Sequence, residues 1–329
     1  MGRCSRRTRS GLADPGGDPM RGTRREFLRW STAACVGARG IEALTGQALE
    51  AAPKLVPGAD RLTAYQVGPH IWVRWANRLL TSYRAHPTQK YPYLYPLTGP
   101  LSGLSLTTET SLPYPHHRSL LFACDRVNGA NFWQGGLESG QIISSGPKLG
   151  ETAARSVELS DRCEWRAGSK SVVMRDRRRI VITVAHDRLR LIDFDIRWEA
   201  AQDVAVPRTN HSLFALRAAP DMTPWRGGTL LNSEGAAGEK ATFGKPADWC
   251  TYFGRRRPPG SRPFADQIVE GIALFDHPEN PWAPTPWFTR DYGFISPTPL
   301  YFRDTPWRLS AGQAIRLRYR VVLYAGTAE

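Results

Sequence analysis

Strict alternation of apolar and polar residues is the feature that most limits how this chain can fold. Between Leu189 and Glu199, Ile192, Phe194, Ile196 and Trp198 alternate with Asp193, Asp195, Arg197 and Glu199. Near the C-terminus, Ile315, Leu317, Tyr319, Val321 and Leu323 are interleaved with Arg316, Arg318 and Arg320. Successive side chains of a strand point to opposite faces, so each run is a strand with one face in a core and one in water. Shorter runs predict strands over 62–67, 70–75, 78–84, 120–123, 154–159, 170–175, 179–185, 211–217, 229–232 and 268–275, and no long helical periodicity competes with them. The expected fold class is therefore all-β: a large two-sheet antiparallel β-sandwich.

Two segments break the alternation. Tyr91-Pro92-Tyr93-Leu94-Tyr95-Pro96 through Pro100 is one, and the Pro- and Trp-dense stretch Pro278 to Pro306 is the other. Proline removes a ladder donor, so both are expected to run across the sandwich as loops that rim a cleft. With no internal repeat and no low-complexity linker, residues 53–329 read as a single domain.

Residues 1–52 read as a basic N-terminus and export signal. Thr23-Arg24-Arg25-Glu26-Phe27-Leu28 fits a twin-arginine motif, a weakly apolar stretch from Trp30 to Leu49 follows, and small residues at Ala51 and Ala52 suit cleavage. The twin-arginine translocase is the implied partner, and a periplasmic or extracellular location the implied destination. Beyond the leader no run approaches 18 uninterrupted apolar residues, so no membrane span is expected in the mature chain. Net charge is +14. The basic clusters Arg175 with Arg177-Arg178-Arg179, and Arg255-Arg256-Arg257, sit near turn residues without interleaved aromatics, which argues against a nucleic-acid partner. Cys124, Cys163 and Cys250 form neither a C-x-x-C pair nor a disulfide framework, and are expected to be three buried thiols.

The candidate chemistry lies in histidines at strand ends. His116 and His117 follow a Pro-rich loop, His211 opens a strand after Pro207, and His277 ends one. Imidazoles can act as acid, base, metal ligand or partner of a sugar hydroxyl. In an extended segment adjacent side chains diverge, so only one of His116 and His117 is expected to face a cleft. His117 and His211 are the candidate proton-transfer groups, with Asp291 or Glu270 as the acidic partner. His116, Arg118, Asn128, Trp133, His277, Trp287 and Arg290 are candidate ligand contacts, although Asn128-Gly129 is first a hairpin turn signal. Exposed aromatic rings beside polar groups suit carbohydrate, whose apolar faces stack on rings. No H-x-H or H-E-x-x-H spacing is present, so no cofactor and no metal ligand are assigned.

These same segments carry a resemblance. Tyr91-Pro92-Tyr93 with Pro96-Leu97, Pro115-His116-His117-Arg118-Ser119-Leu120, Val127-Asn128-Gly129 and Phe132-Trp133 resemble the opening of the bacterial "methane oxygenase PmoA" domain family. Gly244-Lys245-Pro246-Ala247-Asp248-Trp249-Cys250, Asp276-His277-Pro278-Glu279-Asn280-Pro281, Pro286-Trp287, Arg290-Asp291-Tyr292-Gly293 and Leu317-Arg318-Tyr319-Arg320 continue it in order to the C-terminus. The resemblance implies an exported protein with a galactose-mutarotase-like sandwich, a fold whose enzymes pair a histidine acid with a carboxylate base. Their motifs do not map onto this chain residue by residue. The family's name refers to multi-span copper subunits, and this chain has no such spans. The resulting expectation is an exported carbohydrate-associated protein that binds or processes a sugar or glycoside by epimerisation, elimination or hydrolysis. The alternatives are a non-catalytic carbohydrate-binding protein and a His-ligated metalloprotein.

Overall fold

The computed structural model describes residues 60–168, 171–260 and 267–327. The expected leader, 1–52, lies outside the described residues. The described residues form one compact unit.

The alternating segments pair into two large antiparallel sheets, as expected. One has eight strands in the order Leu62–Val67, His70–Trp75, Arg78–Arg84, Tyr93–Leu94, Leu120–Cys124, Ser212–Arg217, Phe294–Pro297 and Trp287–Arg290. The other runs Thr229–Asn232, Trp249–Arg256, Ile268–Asp276, Ala314–Ala325, Leu189–Ala200, Ser171–His186, Ser156–Ala167 and Gln141–Ser144, with Lys148–Thr152 also on Ser156–Ala167. Their inner faces meet through aromatic rings. Phe122 of the first sheet packs against Trp165 and Trp198 of the second, and Phe214 stacks on Tyr319 with centroids 4.4 Å apart. This is the two-sheet sandwich in which alternate residues of each strand fill a shared core. Among the described residues no helix is long and apolar enough to cross a membrane.

Three local expectations change. Residues 170–175 and 179–185 are one strand, Ser171–His186, because Arg178 is not at a turn. It points inward and forms a buried ion pair with Asp176 at 2.7 Å. In the second basic cluster Arg256 is likewise buried and paired with Asp221 at 3.0 Å. The Pro-dense stretch 278–306 is not wholly loop, for Trp287–Arg290 and Phe294–Pro297 form an edge hairpin whose single proline ends its strand. Asn128-Gly129 makes the expected turn, with φ of 50° and 81° and Val127 bridged to Ala130. Cys124, Cys163 and Cys250 are free and buried, and burial raises all three thiol pKa values.

Candidate three-histidine site

The cleft forms where the central strands of the eight-stranded sheet end. Before strand Leu120–Cys124 the chain makes a turn closed by the His117 amide donating to the Tyr114 carbonyl at 3.1 Å. The Tyr91 hydroxyl ties this turn down by donating to the His116 carbonyl at 2.6 Å. Because the segment is a turn and not extended, the alternation rule fails, and both imidazoles reach the same cleft with ring centroids 4.4 Å apart. The register of Ser212–Arg217 on Leu120–Cys124, Ser212 opposite Cys124, then brings in His211 beside Asp125. Its ring lies 5.4 Å from His116 and 5.8 Å from His117.

One potential ligand atom from each of His116, His117 and His211 lies within 4.8 Å of the others. Among the described residues this is the one such grouping of His, Cys, Asp and Glu. His117 is only 3% exposed, and neither of its ring nitrogens has a protein hydrogen-bond partner; nor has His116 Nε2. Burial first, and then the charges of His211 and Arg217, lower the His116 pKa to about 4. Burial, followed by the charges of His116, His211 and Arg217, takes His117 to about 2. Both are thus neutral imidazoles near pH 7, with free lone pairs.

His211 is held differently. Its Nδ1 lies 3.3 Å from the Asp125 carboxylate, whose other oxygen accepts from the Thr209 hydroxyl. Asp125 is buried, and its carboxylate favours a proton on Nδ1 of His211. Trp133 stacks on the His211 ring at 5.4 Å, and Phe294 on that of His117 at 4.3 Å, so both rings are fixed by packing.

A cleft of about 240 Å³ opens over the cluster, walled by Tyr114, Tyr292, Phe288, Gln134, Asn210 and Arg290. Tyr114 and Tyr292 have ring centroids 4.8 Å apart. Behind Tyr292 lies Arg217, 3% exposed, its guanidinium carbon 4.4 Å from the ring centroid and its Nε and Nη1 without protein partners. Burial lowers its pKa. This guanidinium is the charge that helps to keep His116 and His117 unprotonated.

Of the sequence candidates, His116, His117, His211 and Arg290 line this cleft, and Trp133 supports it. The expected acidic partner is corrected. Asp291 accepts the Glu239 amide at 2.8 Å, and Glu270, fully buried, accepts the Leu101 and Ser102 amides at 2.7 and 3.0 Å. Both carboxylates satisfy backbone donors elsewhere, and Asp125 takes the place beside the histidines. Four expected ligand contacts also have other work. Arg118 lies over the Tyr93 ring, and Asn128 brackets the Asp203 carbonyl and Ala205 amide. Trp287 is a core residue donating to the Ala247 carbonyl, and His277 accepts the Glu279 amide. Sequence reasoning passed over Asp125, Tyr114, Tyr292, Gln134, Asn210 and Arg217. For Asp125 the available signal was a carboxylate directly ending the apolar run Leu120-Leu121-Phe122-Ala123-Cys124.

Residues 70–329 match the model of a family of unknown function, DUF6807. The chain belongs to that family. No curated protein matches the sequence. Among solved structures, a galactose mutarotase-like protein from Lactobacillus casei aligns over 80% of this chain and 100% of its own, with a TM-score of 0.37 and 8% identity. An aldose epimerase homologue from C. elegans aligns over 82% and 97%, with a TM-score of 0.33 and 8% identity.

Proposed function

We propose that this DUF6807 member is a three-histidine metalloprotein that binds and processes a carbohydrate or glycoside in the cleft over its metal. The observation that carries the reading is the convergence of His116, His117 and His211, with the buried His116 Nε2 and both His117 ring nitrogens satisfied by no protein group. Buried polar atoms are ordinarily paired, and two neutral imidazoles with unpartnered nitrogens beside a third held by a carboxylate have the chemistry of a ligand set for zinc, copper, iron or nickel. A tetrahedral zinc site with bonds of about 2.0–2.1 Å needs ligand nitrogens roughly 3.3 Å apart, and the three candidate ligand atoms lie within 4.8 Å of one another. Asp125 fills the role of the carboxylate that orients a metal-bound imidazole.

Three protein ligands leave a coordination position open, the pattern of catalytic and not structural zinc. A metal held by the three histidines would adjoin a cleft lined by Tyr114, Tyr292, Gln134, Asn210 and Arg290. Rings that stack on sugar faces, beside amides and a guanidinium that hydrogen-bond hydroxyls, suit a polyhydroxylated ligand. A bound divalent metal lowers the pKa of a coordinated water or hydroxyl, so that it can act as nucleophile or base near neutral pH. Twin-arginine export belongs to the same proposal, since that route carries proteins already folded and is often used by those that acquire a cofactor in the cytoplasm. So does the resemblance to the PmoA-domain family, which is frequent in exported proteins.

Equilibrium dialysis of the folded chain against Zn²⁺, Cu²⁺ and Ni²⁺, followed by titration with mono- and disaccharides, tests both halves. Uptake of one ion per chain that His117→Ala abolishes, with sugar binding in the loaded protein, is expected. A folded protein that takes up no metal refutes the metal half. Sugar affinity unchanged by Tyr114→Ala refutes the assignment of the cleft.

A further inference from the structure

The solvent face of the nine-stranded sheet carries a charge pattern that the cleft does not use. The register sets Arg162 opposite Arg177, Arg177 opposite Arg197, and Arg197 opposite Arg316. One arginine thus stands at the same level on each of four adjacent strands, with neighbours about 4.8 Å apart across the sheet. All four are exposed, while the flanking residues Cys163, Arg178, Ile196 and Leu317 point into the core. Like charges directly opposite destabilise a strand pair, so an unrelieved row of this kind works against the sheet.

The relief within the chain is partial. Arg316 reaches Asp195 at 2.8 Å and Arg197 reaches Glu199 at 3.4 Å. Arg162 and Arg177 have no ion-pair partner among the described residues. The adjoining rows add Arg175 on one side and Arg179 with Arg318 on the other, each already engaged with a glutamate. The carboxylates of this face are thereby spent, and a band of guanidinium charge remains across its middle.

We propose that this arginine row binds a linear acidic polysaccharide laid across the strands. Guanidinium forks pair bidentately with carboxylates, and a polyuronate presents such groups along an extended ribbon. The row and its two neighbours consist of Arg, Glu, Asp, Ser and Ala, without an aromatic ring. Single-stranded nucleic acid is bound by stacking rings beside basic groups, and a duplex groove admits a two-stranded ribbon and not a broad sheet. The chemistry of the face therefore selects an anionic polymer that needs no stacking. The inference stands on the other sheet from the cleft and does not depend on the metal.

The test uses the full chain and the double variant R162Q/R177Q, which removes the two unpaired arginines and breaks no ion pair. Affinity for polygalacturonate, for neutral dextran and for single-stranded DNA is measured between 50 and 200 mM salt, probing ranges where counterion release is steep. The native chain is expected to bind polygalacturonate with a negative salt slope. The variant should lose about one unit of that log–log slope per arginine removed while keeping or raising its thermal midpoint, since the opposed charges work against the sheet. Undiminished polygalacturonate binding by the variant overturns the proposal, as does equal binding to dextran or tighter binding to single-stranded DNA.

Discussion

The metal-free protein should lose stability on mild acidification, and His117 should be the main cause. Folding holds His117 neutral with a pKa of about 2, whereas in the unfolded chain it takes up a proton near its ordinary value of 6.5. Stability falls with falling pH wherever the unfolded state binds more protons. The loss therefore begins as pH drops through 6.5 and continues until the folded-state pKa is reached. Between pH 7.5 and pH 5 the unfolded chain gains nearly one proton that the folded chain refuses, which costs about 2 kcal/mol for this residue alone. His116, at about 4, acts in the same direction through the same window. It is partly exposed, so solvent screening makes its share smaller. Urea unfolding of chelator-treated protein at pH 7.5, 6 and 5 measures this, with His117→Gln as the control that cannot titrate. The expected result is a steep fall for the native chain and a slope flatter by about 2 kcal/mol over the range for the variant. Parallel pH profiles for the two would refute the claim that His117 is buried and neutral.

The other predictions follow from single contacts. Asp125→Asn should keep the fold but weaken metal binding roughly 10–100-fold, measured by competition with a chromophoric chelator, because it releases the His211 ring. Glu270→Gln should destabilise the protein by about 1.5–3 kcal/mol in urea unfolding without changing sugar affinity, since its carboxyl oxygens serve the Leu101 and Ser102 amides and not the cleft. Tyr114→Ala should lower sugar affinity about 10-fold by calorimetry, the equivalent of one good ring contact. Cys124, Cys163 and Cys250 should resist a thiol reagent in the native state and all react in denaturant, since burial raises each pKa.

How far the sequence reaches is plain from particular residues. Ile192 to Trp198 and Leu317 to Leu323 announce half-buried strands because a period of two survives any register, and they lie in the nine-stranded sheet as expected. The strands 62–67, 70–75 and 78–84 are bounded by turns local enough to read directly. What alternation does not encode is which strand lies beside which. The pairing of Ser212 with Cys124 brings His211 to Asp125 over a separation of 86 residues, and no local pattern contains it. His116 and His117 were assigned to opposite faces by a rule for extended chain, and one turn hydrogen bond, His117 to Tyr114, defeats it. Metal-ligand spacing fails as a signal for the same reason. Two ligands are adjacent on a turn and the third comes from another strand, so no helix or hairpin motif exists to be found. Glu270 and Asp291 look like any carboxylate in sequence, and only their backbone partners reveal that they hold loops in place.

The central claim is that His116, His117 and His211 bind one metal ion. X-ray absorption at the metal edge of protein purified in folded form from its export route, or reconstituted with zinc, tests it most directly. A single ion per chain is expected, with three imidazole nitrogens at about 2.0–2.1 Å and one or two oxygen neighbours from water. The triple variant H116A/H117A/H211A is expected to bind no ion. A native, folded chain whose metal content stays at background, or whose bound ion keeps its spectrum when the three histidines are replaced, would contradict the claim.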